Sequence, residues 1–393
     1  MKMFFHARKK ARNRVKQKSL LRLISADFRV YYKSDCQIIL KMERKREMGK
    51  WITGDVHVHS HCCGDGSLPV AEIVEHARRY CDFIAISGHA RHPDLFRIEN
   101  QYAEVLEARK KFDMPIFNTG EIEFPVPRHV IVLTEPENRE YELLQALVDR
   151  FDRRLGIEGI EPAVRELEFI RQWGGDPLMI FNHPNAPDVP LEALQALAPS
   201  PSFRIMACVD RGERRAPQTW DIGAEWDQLL MRGHRIYTRC GSDFHRHFND
   251  GGHDYYPGEF VQDHLWVENN IYADILDAYR NGRFFCTVAN VISDPVWQFA
   301  EKPVPGAPET GLRLAFEVNL PLEQVEIIGD GKPLAVFRDI SSRFEYEGHL
   351  PAASYYRVRG LGKPQKRAYG QEGEFEPLFL LNPLFVREAV PCC

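Results

Sequence analysis

From Trp51 onward the sequence alternates between short apolar segments and longer amphipathic ones, and this alternation restricts the folds that the chain can adopt. The helical type is clearest where Val164, Leu167 and Ile170 recur at helical spacing. The predicted strands are 52–60, 82–88, 115–124, 129–134, 177–184, 203–210, 235–245 and 264–269. The predicted helices are 69–80, 97–112, 139–153, 161–173, 219–232 and 271–281. This order predicts an α/β fold with a parallel sheet and helices outside it, and about seven or eight such units fit a closed barrel over residues 51–292.

Residues 293–393 differ from the preceding part in composition and in hydrophobic pattern. Pro and Gly cluster at the start of this segment, and short alternating runs follow without a convincing helix. Gly329-Asp330-Gly331 marks a turn between two of these runs. We therefore predict a small C-terminal antiparallel β-sandwich domain.

Residues 1–50 form a basic extension. They carry 16 Lys and Arg against 4 Asp and Glu, whereas the rest of the chain has a net charge of −17. Such a tail is typical of a disordered segment, and Met42 and Met48 just before the body fit an over-early start codon. RNA, DNA or an anionic surface are alternative partners for the basic arm. The acidic body does not suit a nucleic-acid groove, so we expect no nucleic-acid partner.

Other features of the sequence exclude several classes of protein. The nine cysteines are odd in number and show no CxxC spacing, which argues against a disulfide framework and against a structural zinc site. No apolar run approaches the roughly 20 residues that span a bilayer, and the N-terminus lacks a secretory-signal pattern. We therefore expect a cytoplasmic protein with a small-molecule substrate and no membrane partner, and we leave a homo-oligomer open.

The most informative segment is Asp55-Val56-His57-Val58-His59. If it forms a strand, Asp55, His57 and His59 share one face, while the two valines face a core. Two imidazoles two residues apart can chelate one ion, and Asp55 could orient one of them. A single HxH pair is a weak signal, because surface strands also carry such pairs.

The signal is strengthened because His, Asp and Glu recur near the ends of the other predicted strands. These residues are Asp65, His89, Glu121, His129, His183, Asp243 and His245. In a parallel α/β barrel the carboxyl ends of the strands converge on one face, where active sites form. Buried His and Asp side chains without partners are costly, so a convergent cluster needs a hydrogen-bond network or metal ions. Metal ions are the simpler explanation for so many ligands.

The order of these motifs resembles the polymerase and histidinol phosphatase (PHP) family of metal-dependent phosphoesterases. The matching pattern is HxH, Asp-Gly, GH, Glu, His, HP and SDxH, and it covers about residues 51–290. The resemblance implies a distorted seven-stranded (β/α) barrel. Many members carry His where this chain has Asp65, which leaves the identity of the second metal open.

The resemblance also implies two or three divalent ions, either Zn²⁺, Mn²⁺ or Fe²⁺, and a mixed nitrogen and oxygen site suits these metals. The first ion would be held by His57, His59, Glu121 and Asp243. The second ion would be held by Asp65, His89 and His245. The third ion would be held by His129 and His183 together with Glu121. The catalytic residues that we predict are Glu121, His89 and Asp243.

Within that family, two segments look most like the carbaryl-hydrolase-like (CehA/McbA) subgroup, namely KWITGDVHVHS and GRFFCTVAN. This subgroup includes enzymes that cleave aryl carbamate esters. We therefore predict a metal-dependent hydrolase in which a metal-bridging hydroxide attacks an aryl ester or carbamate of a small molecule. The alternative is a PHP phosphoesterase acting on a small phosphorylated molecule. A non-catalytic binding module and a nuclease are further rivals.

Several residues beside the predicted ligands have less defined roles. Glu123 is a candidate further ligand, whereas Cys62 and Cys63 are interpreted as small loop residues. The loop histidines interpreted as solvated are His61 and His92. The arginines that could bind an anionic substrate are Arg91, Arg128 and Arg246.

The loop that follows His245 is rich in His, Gly and Tyr, and we interpret it as a mobile rim of the site. Its candidate substrate contacts are His247 and His253. Its aromatic residues, which suit an aromatic leaving group, are Phe248, Tyr255 and Tyr256. These aromatic residues and the acidic body favour an uncharged ester over a phosphate dianion.

Overall fold

The computed structural model describes residues 49–90, 97–124, 128–150, 158–183, 191–210, 223–304, 306–370 and 374–386, together with two short strands nearer the N-terminus. These two strands belong to a separate unit, residues 1–49. They are β1 (Phe28–Tyr32) and β2 (Ile38–Met42), and they pair antiparallel. The rest of the basic extension, predicted to be disordered, lies outside the described residues.

The body, residues 50–393, is built on one large mixed sheet. Its first strands are β3 (Lys50–Asp55), β4 (Phe83–His89), β5 (Ile116–Phe124), β6 (Arg128–Leu133), β7 (Leu178–Phe181), β8 (Phe203–Asp210) and β9 (Tyr237–Gly241), and they are neighbours in this order. Strands β3, β4 and β5 run parallel, as do β7, β8 and β9.

Strand β6 is antiparallel to both of its neighbours, so the expectation of a fully parallel sheet is wrong at this position. Only residues 125–127 separate β5 from β6, and a parallel crossover needs a dozen residues or more. Because β6 runs antiparallel to β5 and β7, its first residues lie at the edge of the sheet where β5 and β7 end.

The helices of the body are α1 (Val70–Ala77), α2 (Ile98–Lys111), α3 (Glu140–Arg150), α4 (Ile160–Gln172), α5 (Leu191–Leu197), α6 (Gly223–Met231) and α7 (Tyr272–Arg280). Six of them overlap predicted helices, whereas α5 was not predicted, because seven residues show only about two turns of periodicity. Helix α4 buries Leu167 and Ile170, but Val164 is 43% exposed. Within the described residues, none of the helices combines the length and the apolar character needed to cross a bilayer.

The strands that follow β9 pair only antiparallel. They are β10 (Val261–Val267), β11 (Phe284–Val288), β12 (Ile292–Phe299), β13 (Glu309–Val318), β14 (Leu322–Gly329), β15 (Lys332–Ile340), β16 (Phe344–Pro351), β17 (Tyr355–Gly362), β18 (Gln365–Lys366), β19 (Glu374–Phe375) and β20 (Leu378–Phe385). Strand β10 pairs with β3, and β11, β20, β17, β14 and β15 continue from it. The large sheet therefore has 13 strands in the described part of the chain.

The C-terminal strands pack in two layers. Strands β12, β13 and β16 form a second sheet, and its apolar side chains share one buried cluster with those of β14, β17 and β20. The Phe316 ring of β13, for example, lies 5.3 Å from the Phe379 ring of β20. One of the two layers is continuous with the large sheet, because β20 pairs with β11. The large sheet therefore has more strands than the seven of the predicted barrel, and both the barrel and the domain boundary at residues 292/293 stay predictions.

Chain segments beyond β3 and β9 approach each other at the edge where these strands end. Val58 forms an isolated parallel bridge with Phe244, and the amide of His59 donates to the carbonyl of Phe244 at 2.8 Å. The predicted strand 52–60 is therefore shorter in the structure, and the HxH segment pairs with the chain that follows β9. This contact brings two groups of predicted ligands together.

Candidate metal centre

The predicted ligands converge at one edge of the large sheet. This edge contains the carboxyl-terminal ends of β3, β4, β5, β7 and β9 and the beginning of the antiparallel β6. The side chains that meet there are His57, His59, Asp65, His89, Glu121, His129, His183, Asp243 and His245. Glu121 lies at their centre, and its side chain is fully buried.

The first group of predicted ligands is His57, His59, Glu121 and Asp243, and the structure brings these four residues together. The Nε2 atom of His57 lies 3.1 Å from Glu121 Oε1 and 3.2 Å from Asp243 Oδ1. The Nε2 atom of His59 lies 3.2 Å from the same oxygen of Asp243. All four residues are buried, and their ligand atoms lie within 4.8 Å of one another. Two imidazoles and two carboxylates around a common point suit a first-row divalent metal.

The second group of predicted ligands, Asp65, His89 and His245, also lies together, and His59 lies beside it. The Nε2 atom of His89 lies 3.1 Å from Asp65 Oδ2 and 3.3 Å from His245 Nε2. The Nδ1 atom of His245 lies 2.8 Å from the backbone carbonyl of Asp243. Because a carbonyl only accepts hydrogen bonds, Nδ1 carries the proton, and Nε2 presents its lone pair to the group. Asp65 is exposed, so this group opens to solvent.

The third group forms around the Oε1 and Oε2 atoms of Glu121. His129 Nδ1 lies 2.9 Å from Oε1, and His183 Nε2 lies 3.3 Å from the same atom. His89 Nδ1 lies 2.9 Å from Oε2. The set of atoms close enough to share one ion contains His89, Glu121 and His129. This set has His89 where the prediction has His183, so His129 and His183 with Glu121 as the ligands of a third ion stay a prediction.

The electrostatics of these side chains fit bound cations. Within the described residues, His59 Nε2, Glu121 Oε2 and His129 Nδ1 are buried and make no well-aligned hydrogen bond, although each lies close to another predicted ligand. Burial, followed by the nearby His245, lowers the pKa of His59 to about 3, so this ring is neutral at pH 7. Burial opposes ionisation of Glu121, but His57 and His129 outweigh it, and the pKa of this carboxyl lies well below its usual range. Neutral imidazoles and ionised carboxylates are the protonation states that metal binding requires.

A buried hydrogen-bond network adjoins the first group. The sequence predicted only one of its members, Asp55. The Oδ1 atom of Asp55 accepts from the amide of His57 at 3.0 Å, and Oδ2 accepts from the amide of Ser242 at 3.0 Å. Arg239 donates to Asp55 at 3.2 Å and to Asp263 at 2.7 Å. Asp55 therefore ties the HxH segment to the segment that follows β9. The sequence signal for Arg239 was a single cation within an apolar strand.

A second residue missed by the sequence reasoning is Asn182. Its amide nitrogen donates to Glu121 Oε1 at 3.2 Å and lies 3.5 Å from His57 Nε2. The side chain is buried. Asn182 directly precedes His183 at the end of a predicted strand, and this position is the sequence feature that could have identified it as part of the site. Through its hydrogen bond, Asn182 helps to hold the Oε1 atom of the central carboxylate in place.

The backbone is strained at two of the predicted ligands. His183 has a φ angle of 51° and Asp243 a φ angle of 48°. Residues other than glycine rarely adopt this left-handed conformation, which costs on the order of 1–3 kcal/mol and is often retained at functional sites. In both cases the turn follows a strand end and directs the side chain toward Glu121 and His57, respectively.

The residues beside the ligands take different positions. Glu123 pairs with His129 across β5 and β6, and its Oε1 atom lies 3.9 Å from His129 Nε2. Cys63 is more than a small loop residue, because its Sγ atom lies 3.1 Å from Asp65 Oδ1 and 3.8 Å from His59 Nδ1. Arg246, His61 and His253 are exposed. Arg91, His92 and the side chain of Arg128 lie outside the described residues.

In the loop that follows His245, several side chains that were expected to contact the substrate are packed inside the protein. His247 is fully buried and stacks on Tyr256 with a centroid distance of 3.8 Å, so it is not an accessible substrate contact. The Tyr256 ring also stacks on His76 at 3.9 Å, and Tyr255 is buried. Tertiary packing therefore occupies the aromatic faces that were expected to receive a leaving group, and Phe248 is only half-buried.

Comparison with known proteins gives distant structural neighbours. No protein-family model matches the chain, and no curated protein matches it. A two-domain protein of Bacteroides vulgatus, described as containing a PHP-like metal-dependent phosphoesterase, has a TM-score of 0.45 and 14% sequence identity over 80% of this chain and 91% of its own. A protein of Bifidobacterium adolescentis, assigned as a metal-dependent phosphoesterase, has a TM-score of 0.34 and 16% identity over 52% of this chain and 90% of its own. At these values, the function has to be inferred from the geometry of the site itself.

Proposed function

We propose that this chain is a metal-dependent hydrolase that cleaves an ester-type bond of a small molecule. The observation that carries the proposal is the convergence of six histidines and two further carboxylates around the buried Glu121. A non-catalytic binding module has no need for such a complete set of ligands beside a solvent-exposed opening at Asp65.

The chain's own residues determine how such a site works. Bound divalent ions supply positive charge that polarises the scissile bond and lowers the pKa of water. Glu121 faces His57 and His129 with Oε1 and faces His89 with Oε2, so it keeps the groups at a fixed separation. We assign catalysis to Glu121, His89 and Asp243. Glu121 and His89 each belong to two neighbouring groups, and Asp243 Oδ1 lies 3.2 Å from both His57 Nε2 and His59 Nε2. Asp65 marks the side from which substrate enters.

We also propose that residues 51–292 form a distorted barrel of PHP type, with the carbaryl-hydrolase-like subgroup as the finer assignment. The order of motifs along the sequence supports this, as does the bridge between Val58 and Phe244, which joins the two ends of the strand set from β3 to β9. Residues 293–393 are then a C-terminal β domain attached through the β11–β20 pairing.

For the bond, we propose an aryl ester or carbamate without a negative charge. The subgroup resemblance supports this choice, as does the net charge of −17 on residues 51–393. A phosphoester is the second candidate. The specific observation in its favour is that adjacent groups share His59, His89 and Glu121, since paired ions can stabilise both the attacking and the leaving oxygen of a phosphoryl group.

The test compares kcat/KM for three substrates on one metal-reconstituted preparation. The substrates are 4-nitrophenyl acetate, an aryl N-methylcarbamate and 4-nitrophenyl phosphate. We expect an ester or the carbamate to be preferred. A preference for the phosphate by more than about tenfold, or about 1.4 kcal/mol, would replace the ester by the phosphoester. No metal-dependent hydrolysis of any substrate would contradict the hydrolase proposal.

A further inference from the structure

A second cluster of metal-binding side chains shares no donor with the nine residues above. It contains His61, Cys62 and Glu104, whose donor atoms lie within 4.8 Å of one another. His61 Nε2 lies 2.6 Å from Glu104 Oε1, and Cys62 Sγ lies 3.6 Å from the same oxygen. The three residues come from the short 3-10 turn His61–Cys63 and from helix α2.

The rest of the Glu104 carboxylate is already fixed. Its Oε2 atom accepts a hydrogen bond from the amide of Val70, the first residue of α1, at 2.9 Å. Glu104 therefore links α2 to the start of α1 and holds Oε1 beside the turn. The imidazole of His61 is about half exposed, with 45% of its side-chain surface accessible, whereas Cys62 is buried. The thiol and the carboxylate are thus preorganised, and the imidazole closes the cluster from the solvent side.

The distances approach those of a tetrahedral zinc site. Zinc bonds of about 2.0 Å to nitrogen or oxygen and about 2.3 Å to sulfur place neighbouring donors roughly 3.3–3.5 Å apart. The distance of 3.6 Å between Cys62 and Glu104 already matches this value. The distance of 2.6 Å between His61 and Glu104 must increase by roughly 0.7 Å, which rotation of an exposed imidazole can provide.

We propose that His61, Cys62 and Glu104 form a zinc-binding site with one thiolate, one imidazole and one carboxylate ligand and with water in the fourth position. A thiolate beside an imidazole selects zinc over magnesium, calcium and manganese, which prefer oxygen donors. The thiol releases its proton to solvent on binding. The ion ties the turn that leads to Asp65 to helix α2, so it stabilises the exposed side of the candidate metal centre without taking part in its reaction.

The test uses Co²⁺ as a spectroscopic substitute for zinc in the full-length chain. A thiolate ligand gives a near-ultraviolet charge-transfer band, which nitrogen and oxygen ligands do not give. We expect this band in the unsubstituted protein, and we expect Zn²⁺ in excess over all the proposed sites to remove it. Cys62→Ser should abolish the band and lower the zinc content by one ion per chain, while His61→Ala and Glu104→Gln should each weaken zinc binding at this site at least about tenfold.

The matched control is Cys63→Ser, which changes the neighbouring thiol and should keep the band. Loss of the band in Cys63→Ser and its retention in Cys62→Ser would place the thiolate at the main cluster and overturn the proposal. Absence of the band at saturating Co²⁺ would overturn it as well, and the hydrogen-bonded pair of His61 and Glu104 would then be the whole role of the cluster. Because the readout is optical, its failure is distinguishable from a failure of the hydrolase proposal.

Discussion

Replacing Asp55 by Asn should separate the two strand ends that carry the first group of ligands. The carboxylate of Asp55 accepts hydrogen bonds from the backbone amides of His57 and Ser242 and from the guanidinium of Arg239, and the residue is fully buried. Asn has only one acceptor oxygen, so its amide nitrogen must face either a backbone amide or Arg239. The substitution leaves one buried N–H unsatisfied, at about 1–3 kcal/mol, and removes one charge from a buried ion pair, which together give a loss of about 3–5 kcal/mol.

Urea unfolding measures the loss of stability, and metal analysis measures the consequence for the site. We expect the Asp55→Asn protein to bind fewer ions per chain, because the tie between the segments that carry His57 and Asp243 is broken. The matched control is Asp82→Asn, since exposed Asp82 also accepts a backbone amide, that of Thr53 at 2.8 Å. The control should change the free energy of unfolding by less than about 1 kcal/mol. Equal stability and equal metal content in both variants would refute the role given to Asp55.

Three further predictions concern other parts of the structure. Glu121→Gln should remove most of the metal bound in the first and third groups and lower kcat/KM at least about 1000-fold, because these two groups lose the carboxylate that they share. His264→Asn should make the free energy of unfolding less sensitive to acid. Burial lowers the pKa of His264 to about 3, so between pH 6.5 and pH 3 only the unfolded chain takes up this proton. The stability that is present above pH 6.5 is therefore lost as the pH falls toward 3, by at most about 1.4 kcal/mol per pH unit. Asp227→Ala should destabilise the protein by about 3–5 kcal/mol, because Asp227 accepts from Tyr355 and Arg357 in a buried contact between α6 and β17.

Each of these predictions has a result that would contradict it, and two of them have a matched control. For Glu121, retention of metal by Glu121→Gln would contradict its central position. For His264, the variant His349→Asn at an exposed position should leave the slope of unfolding free energy against pH between 6.5 and 4 unchanged, and an unchanged slope in His264→Asn would contradict the prediction. For Asp227, the control is Arg171→Ala, which breaks an exposed pair with Glu168 and should cost less than about 1 kcal/mol. Equal effects of these two substitutions would contradict the burial argument.

The local pattern of the sequence was sufficient to predict much of the candidate site. Alternation along the HxH segment placed His57 and His59 on one face, and polar residues at the ends of apolar runs marked Glu121 and Asp243. These signals are local, because a strand has a period of two residues and because strand ends share an edge of the sheet. The same reasoning located six of the helices within a few residues and missed α5.

The remaining features depend on contacts between distant residues. Arg239 and Asp263 are 24 residues apart and meet only when β9 approaches β10, so neither could be recognised as part of the site. The direction of β6 follows from the short connection before it, which the alternating pattern of strands and helices concealed. Tyr255 and Tyr256 looked like surface aromatic residues, and only the tertiary packing shows that their faces are occupied.

The most direct test of the central claim is the number of divalent ions per chain, measured by elemental analysis of protein purified and dialysed without chelator, together with hydrolysis before and after chelation. We expect more than one ion per chain, loss of hydrolysis on chelation, and parallel return of metal and hydrolysis when Zn²⁺, Mn²⁺ or Fe²⁺ is added back. His57→Ala and Asp243→Ala should abolish both metal binding in the first group and hydrolysis, while the circular dichroism spectrum stays unchanged. Full activity in chelator, with no ion bound, would contradict the account.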